Sequence, residues 1–284
     1  IRGFIINGFV SGGGIKTGST FFYQNPAGTV RYQCNFLGVD ATGSYSIPNL
    51  NGMLDSGYPP HTILGGSNLG DGNLISGIAQ EPIRISPVYT SFAMYGNVVG
   101  LDATGTYAIP NNTNRVNGNV YLRGGGNMNI GGPGQYERNV ISGNPLTGLY
   151  MRLNDGTLNT TQIIENNYIG VGVDGVTSIP NGYSGMFIYH SQNYNSHVII
   201  RNNLVAEHER YGIEIRNIRN PIIEGNTVYD NPLGCIYVTN WVYNSIIRNN
   251  ELHDCGYGIH FWRYNYGSLV GGTDPADGNN IYDS

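Results

Sequence analysis

The chain has 284 residues, 43 of them Gly and 37 Asn, while Lys, Arg, Asp and Glu together make only 12%. So much Gly and Asn argues against a helical protein, because Gly costs a helix interior ~1 kcal/mol relative to Ala and Asn favours turns; 39% hydrophobic residues with sparse charge argue against a disordered one. A net charge of −5, with Lys16 the lone lysine, disfavours nucleic acid or an anionic membrane as partner, and no apolar run approaches the ~18 residues of a membrane span.

A short pattern, Asn-x-apolar, recurs from end to end: Asn35, Asn73, Asn97, Asn139, Asn167, Asn203, Asn226, Asn250 and Asn279. The shortest gaps are 23 and 24 residues, and the longer ones read as that unit with a loop inserted. A second pattern, Gly followed by alternating apolar residues, begins at Gly148, Gly185, Gly212 and Gly258 and reads as half-buried strand. The loops are related too. Asn35 to Gly43 and Asn97 to Gly105 share a Gly-x-Asp-Ala-Thr-Gly stretch, and both lead to Ile-Pro-Asn, at Asn49 and Asn111; a variant loop leads to Asn181. Gly65-Gly66, Gly131-Gly132 and Gly271-Gly272 open a third kind, each returning to a repeat asparagine.

A unit of 23 residues with several short strands cannot bury a face alone, but stacking it on copies of itself can. The expected fold is all-β, a single right-handed parallel β-helix of nine or ten coils over residues 1–284, with the nine asparagines turned inward as a ladder. An unpartnered buried amide costs ~1–3 kcal/mol, so the ladder works only if nearly every coil carries one. Three cysteines, Cys34, Cys235 and Cys255, cannot all pair and lack metal spacing, so buried free thiols are expected. The sequence opens on Ile1 inside a strand pattern, which leaves room for a processed upstream segment.

On these repeats the sequence resembles the right-handed parallel β-helix superfamily that includes pectate lyases, and most of all secreted bacterial and archaeal β-helix repeat proteins. The resemblance runs from Ile1 to Ser284. It implies the fold, whereas the superfamily's activities range over lyases, hydrolases, epimerases, tailspikes, adhesins and surface-layer parts. Its lyases pair a calcium-binding acidic cluster with an Arg or Lys base. Here Lys16 lies in the first coil, and no two adjacent coils offer a carboxylate triplet. Some of its epimerases carry Asp-Pro-His-Asp, and Asp274-Pro275-Ala276-Asp277 lacks the histidine.

Outward positions of the Gly-anchored strands are where ligand contacts belong. One outward row reads Tyr150, Phe187, Glu214 and His260; the next reads Arg152, Tyr189, Arg216 and Trp262. Glu207, His208, Arg210, Asp230, His253, Asp254 and Arg263 neighbour them. Aromatic rings stack on sugar faces and charges hold hydroxyls or uronates, so Tyr150, Arg152, Phe187, Tyr189, Trp262 and Arg263 are the carbohydrate-binding candidates. In an enzyme, Glu214, Arg216 and His260 would supply a base and charge stabilisation. Asp40 and Asp102 read as turn formers bonding their own backbone, with calcium the alternative; otherwise no cofactor and no metal are expected. Asn111-Asn-Thr113 and Asn159-Thr-Thr161 match glycosylation acceptors.

Two functions follow. The first is an extracellular or cell-surface structural β-helix, self-assembling end to end, continuing into further coils of a longer chain, or binding polysaccharide. The poorly guarded first and last coils favour such stacking. The second is a polysaccharide lyase, hydrolase or epimerase working on the outward stripe, and the sequence leaves open whether the chain is catalytic.

Overall fold

The computed structural model describes residues 1–17, 28–57, 61–87, 91–111, 118–153, 160–191 and 196–283. Among these residues the strands form three parallel sheets. Sheet I has ten strands, from Ile5–Ile6 to Asn280–Tyr282; sheet II has nine, from Gly13–Thr17 to Ile259–Trp262; sheet III has nine, from Thr29–Tyr32 to Leu269–Val270. The chain visits I, II and III in that order on every turn, which makes nine turns of a parallel β-helix. Parallel crossovers take the right-handed sense.

Side chains alternate across each strand, and the inward ones stack on themselves from coil to coil. In sheet II, Leu122, Met151, Ile188, Ile215 and Val238 occupy one register position, and all five are buried. The core is thus a bundle of aliphatic columns, each built from a chemically similar residue once per turn.

The corner between sheets III and I is polar. Asn35 Nδ2 donates to Asn73 Oδ1, and the same bond links Asn73 to Asn97, Asn97 to Asn139, and onward through Asn167, Asn203, Asn226, Asn250 and Asn279, every link 2.8–2.9 Å long. The second amide hydrogen goes to a backbone carbonyl, as from Asn226 to Ile200 O at 2.9 Å. The oxygen also accepts a backbone N–H from the preceding coil, as Asn226 Oδ1 does from Asn203 at 3.0 Å. No amide in the column is left short, so burial is tolerated.

A second ladder, absent from the sequence reading, fills the corner between sheets I and II. Asn111 Nδ2 donates to Asn144 Oδ1 and Asn144 Nδ2 to Asn181 Oδ1, both at 3.1 Å. Asn181 N then donates to His208 Nδ1 at 3.2 Å, and His208 N to Asn231 Oδ1 at 3.1 Å. Asn111 is therefore a buried structural amide rather than a glycosylation acceptor, while Asn159 falls outside the described residues.

The same corner corrects the cysteine reading. A Cβ on Gly148 would lie 2.9 Å from Asn181 Nδ2, and one on Gly185 would lie 2.7 Å from His208 Cδ2. Each of these glycines thus abuts the ladder residue one coil on. At the next repeats Cys235 stands in the glycine column and Cys255 follows Asn231 in the ladder. The two form a disulfide with Cα atoms 5.6 Å apart. Cys34 alone is free.

The long inserts between sheets I and II stack on one another. Asp40 accepts from Ser44 N and Tyr45 N at 2.9 and 3.0 Å, and Asp102 accepts from Thr106 N and Tyr107 N at 3.1 Å. In the third loop Asp174 takes the role, accepting from Val176 N and Thr177 N. Such bonds hold the exposed Asp40 carboxyl down at about 2, led by the Thr42 hydroxyl. Ala103 N donates to Gly43 O and Val173 N to Gly105 O, so the loops form a fin along the rod. These carboxylates are spent on their own turns.

Candidate functional site

The outward face of sheet II carries one residue per coil in each row. The first row runs Lys16, Leu54, Arg84, Tyr121, Tyr150, Phe187, Glu214, Tyr237 and His260. The second runs Arg123, Arg152, Tyr189, Arg216, Thr239 and Trp262. Lys16 thus begins the same row, four strands before Tyr150. Tyr237 and Thr239 are insertions that the sequence reading passed over, because Cys235 interrupts the Gly-apolar signature there. Their presence separates Glu214 from His260, and Arg216 from Trp262, by two coils, about 10 Å. Glu214, Arg216 and His260 therefore do not converge as a catalytic trio.

What does converge is a cleft of about 530 Å³ lined by Leu146, Thr147, Tyr150, Tyr183, Phe187, Arg210, Glu214 and Arg216. Its floor is aromatic. Tyr150 meets Phe187 edge to face at 5.1 Å between centroids, and Phe187 stacks on Tyr189 at 5.2 Å. Its wall is the corner between sheets I and II. There Arg210 N donates to Tyr183 O at 3.0 Å, Arg210 bonds the Tyr183 hydroxyl, and its guanidinium lies 4.5 Å from the centre of that ring. Leu146, Thr147 and Tyr183 belong to a site no sequence pattern marked, since corner residues obey neither strand alternation nor the repeat.

Two guanidiniums face one carboxyl in this cleft. Arg216 sits 6.0 Å from the Phe187 ring centre, and the Asn240 side-chain amide lies beside its guanidinium, its oxygen accepting from Nε and Nη2 at 3.1 Å once the amide is flipped. Glu214 is half-buried. Loss of solvent raises its carboxyl above the ordinary range, against the pull of Arg216 and Arg210. Two carboxylates on sheet III are committed instead, Glu165 to Arg201 at 2.9 Å and Glu224 to Arg248 at 2.8 Å, a charge ladder along that sheet.

The remaining candidates do not line the cleft. Arg152 is beside it, 6.0 Å from the Tyr189 ring centre. Trp262 and Arg263 sit at the last strand of sheet II, with the Arg263 guanidinium 5.9 Å from the indole. His260 packs between Tyr237 at 5.0 Å and Tyr257 at 4.8 Å. His208 is a correction: it is wholly buried in the second ladder, and burial drops its imidazole to about 4. Glu207, Asp230, His253 and Asp254 belong to another face, at the edge of sheet I, where His253 stacks on Tyr229 and bonds Asp254 at 2.6 Å. Asp274 caps the short 3₁₀ turn Pro275–Asp277 through Ala276 N.

Comparison with known proteins returned one family. The model described as "NosD: Periplasmic copper-binding protein (NosD)" matches residues 177–282, a little over a third of the chain. Neither the curated proteins nor the solved structures gave a match. Among the described residues no three His, Cys, Asp or Glu side chains gather to hold a metal ion. Of the ligands copper prefers in that segment, His208 is buried in the ladder, Cys235 and Cys255 are joined to each other, and His190, His197, His253 and His260 fall on four different strands. No helix among the described residues is long and apolar enough to cross a membrane.

Proposed function

We propose that this β-helix works in the cell envelope or outside the cell as a rigid carbohydrate-binding rod, seating an acidic polysaccharide along sheet II. The observation that carries the reading is the cleft between Tyr150 and Arg216. An aromatic floor offers a face for a pyranose ring, and two guanidiniums outnumbering one carboxyl favour a uronate or sulfate group. The rows of Tyr121, Tyr150 and Phe187 with Arg123 and Arg152 extend that surface along the rod. The description of the matching family as periplasmic supports the location, as does a disulfide, which persists in oxidising compartments.

A second reading is catalytic, favoured by the raised Glu214 carboxyl, which could donate a proton to a leaving oxygen. The cleft lining holds a single carboxyl, however, where the common glycoside hydrolases use two. Binding is therefore the primary reading. The test is affinity electrophoresis against alginate, polygalacturonate and neutral glucans, with absorbance monitoring for unsaturated ends. Retention by an acidic polymer, abolished in Arg216→Ala and without new ends, supports the rod. New ends that vanish in Glu214→Gln support the enzyme. Equal migration in every gel rejects both.

A further inference from the structure

We propose that the outer face of sheet I in the first coils is a second site, for an amphiphile with an anionic head and a linear apolar tail. Sheet I strands are only two residues long here, so each coil presents one outward side chain. In consecutive strands these are Phe36, Leu74, Val98, Val140 and Tyr168. Farther along, beyond Leu204, the same row turns polar, to Thr227, Glu251 and Asn280. Leu74 packs under the fin against Val39 and Ile109, and Val140 against Leu101 and Ile179, while Phe36, Val98 and Tyr168 are only half-buried.

The inserts flank it on both sides, and the fin closes over part of it while the other edge stays open. The fin between sheets I and II contributes Ala103 and Val173; the Gly-Gly loops between sheets III and I contribute Leu69 and Tyr136. Between them lies a groove of about 450 Å³. Leu69 is 77% exposed and Val173 and Tyr136 are each 42% exposed, so the walls stand as unpartnered apolar edges. From Phe36 to Val140 the floor spans three coil spacings, about 14 Å, one side chain wide. That shape takes an extended chain rather than a fused ring system or a globular partner.

Charge fixes which end of the ligand goes where. Arg138 is the lone charged residue of the lining and stands at the Val140 end. Its guanidinium lies 3.9 Å from the Tyr168 ring centre, and its Nε and Nη2 donate to Asn166 Oδ1 at 3.1 and 2.8 Å. Neighbouring carboxylates are engaged elsewhere. Asp71 pairs with Arg2 at 2.6 Å, and Glu137 accepts from Ser67 at 2.6 Å and Gly134 N at 2.9 Å. A fixed cation at one end of an apolar strip matches a carboxylate, sulfate or phosphate head with its tail laid along the floor.

The site is independent of the sheet II cleft and is tested separately. Isothermal calorimetry would follow dodecanoate below its micellar concentration, with dodecyl maltoside and dodecyltrimethylammonium as neutral and cationic counterparts. Saturable one-to-one binding of dodecanoate is expected, at least ten-fold tighter than either counterpart. Arg138→Gln should erase that preference for the anion, and Leu69→Asp, on an exposed loop, should weaken dodecanoate at least ten-fold. Arg216→Ala should leave it unchanged. Absence of saturable binding, equal affinity for all three head groups, or indifference to both groove variants with an unaltered melting profile would overturn the proposal.

Discussion

His208 receives the backbone N–H of Asn181 on its Nδ1 at 3.2 Å and so takes the place of an asparagine in the second ladder. An imidazole can do this only while neutral, because the accepting nitrogen must keep its lone pair. Burial, outweighing the backbone groups of Asn181 and Ile169, puts its folded value at about 4, against 6.5 for a free side chain. Between these values the unfolded chain binds more protons than the folded one. The contribution of this group is therefore fully present above pH 6.5 and lost as pH falls toward 4. Urea titrations from pH 8 to 4 should show a decline of a few kcal/mol, and His208→Asn should flatten it. An unchanged slope in the variant would assign the decline to other groups.

The first ladder predicts a sharper effect. Asn226→Leu removes the acceptor of Asn203 Nδ2 and N and the donor to Asn250 Oδ1. Stranding these buried partners should cost a few kcal/mol, read as a drop in urea midpoint with the slope unchanged. Stability within error of wild type would remove the ladder from the account.

The disulfide closes a loop with a sequence separation of 20. Reduction should lower stability by about 3 kcal/mol on the loop-entropy scale. The double variant Cys235→Gly, Cys255→Asn restores the glycine and ladder pair of the preceding coils. It should fold, lose the sensitivity to reductant and melt above the reduced wild type. A double variant no more stable than the reduced protein would show that the glycine–asparagine pair is not equivalent.

Within the cleft, Phe187→Ala should weaken an acidic oligosaccharide about ten-fold, a loss of ~1.4 kcal/mol. Trp262→Ala, two coils beyond Arg216, should weaken it less. Calorimetry that ranks the two the other way would move the site to the end of sheet II.

The fold was legible because one demand repeats every turn: the corner between sheets III and I accepts only a residue that can donate and accept at once, so Asn recurs visibly. The second ladder was illegible because its column tolerates substitutes. Ile78, whose backbone N–H donates to Asn111 Oδ1 at 3.0 Å, His208 and Cys255 all occupy it, and loops of different length precede them. The disulfide was missed for the same reason, since Cys235 and Cys255 each look isolated until the glycine and ladder columns are aligned. The stripe was read with one coil missing, which brought Glu214 and His260 falsely together. The cleft wall of Tyr183 and Arg210 depends on how corners stack, and strand periodicity carries no trace of it.

The most direct test of the account is a crystal structure of the chain with a soluble acidic hexasaccharide. The predicted result is a sugar ring over Tyr150 and Phe187, with its acidic group within hydrogen-bonding distance of Arg210 or Arg216 and the chain running along sheet II. Sugar bound only elsewhere, on the fin, the sheet I groove or the Trp262 turn, would contradict it.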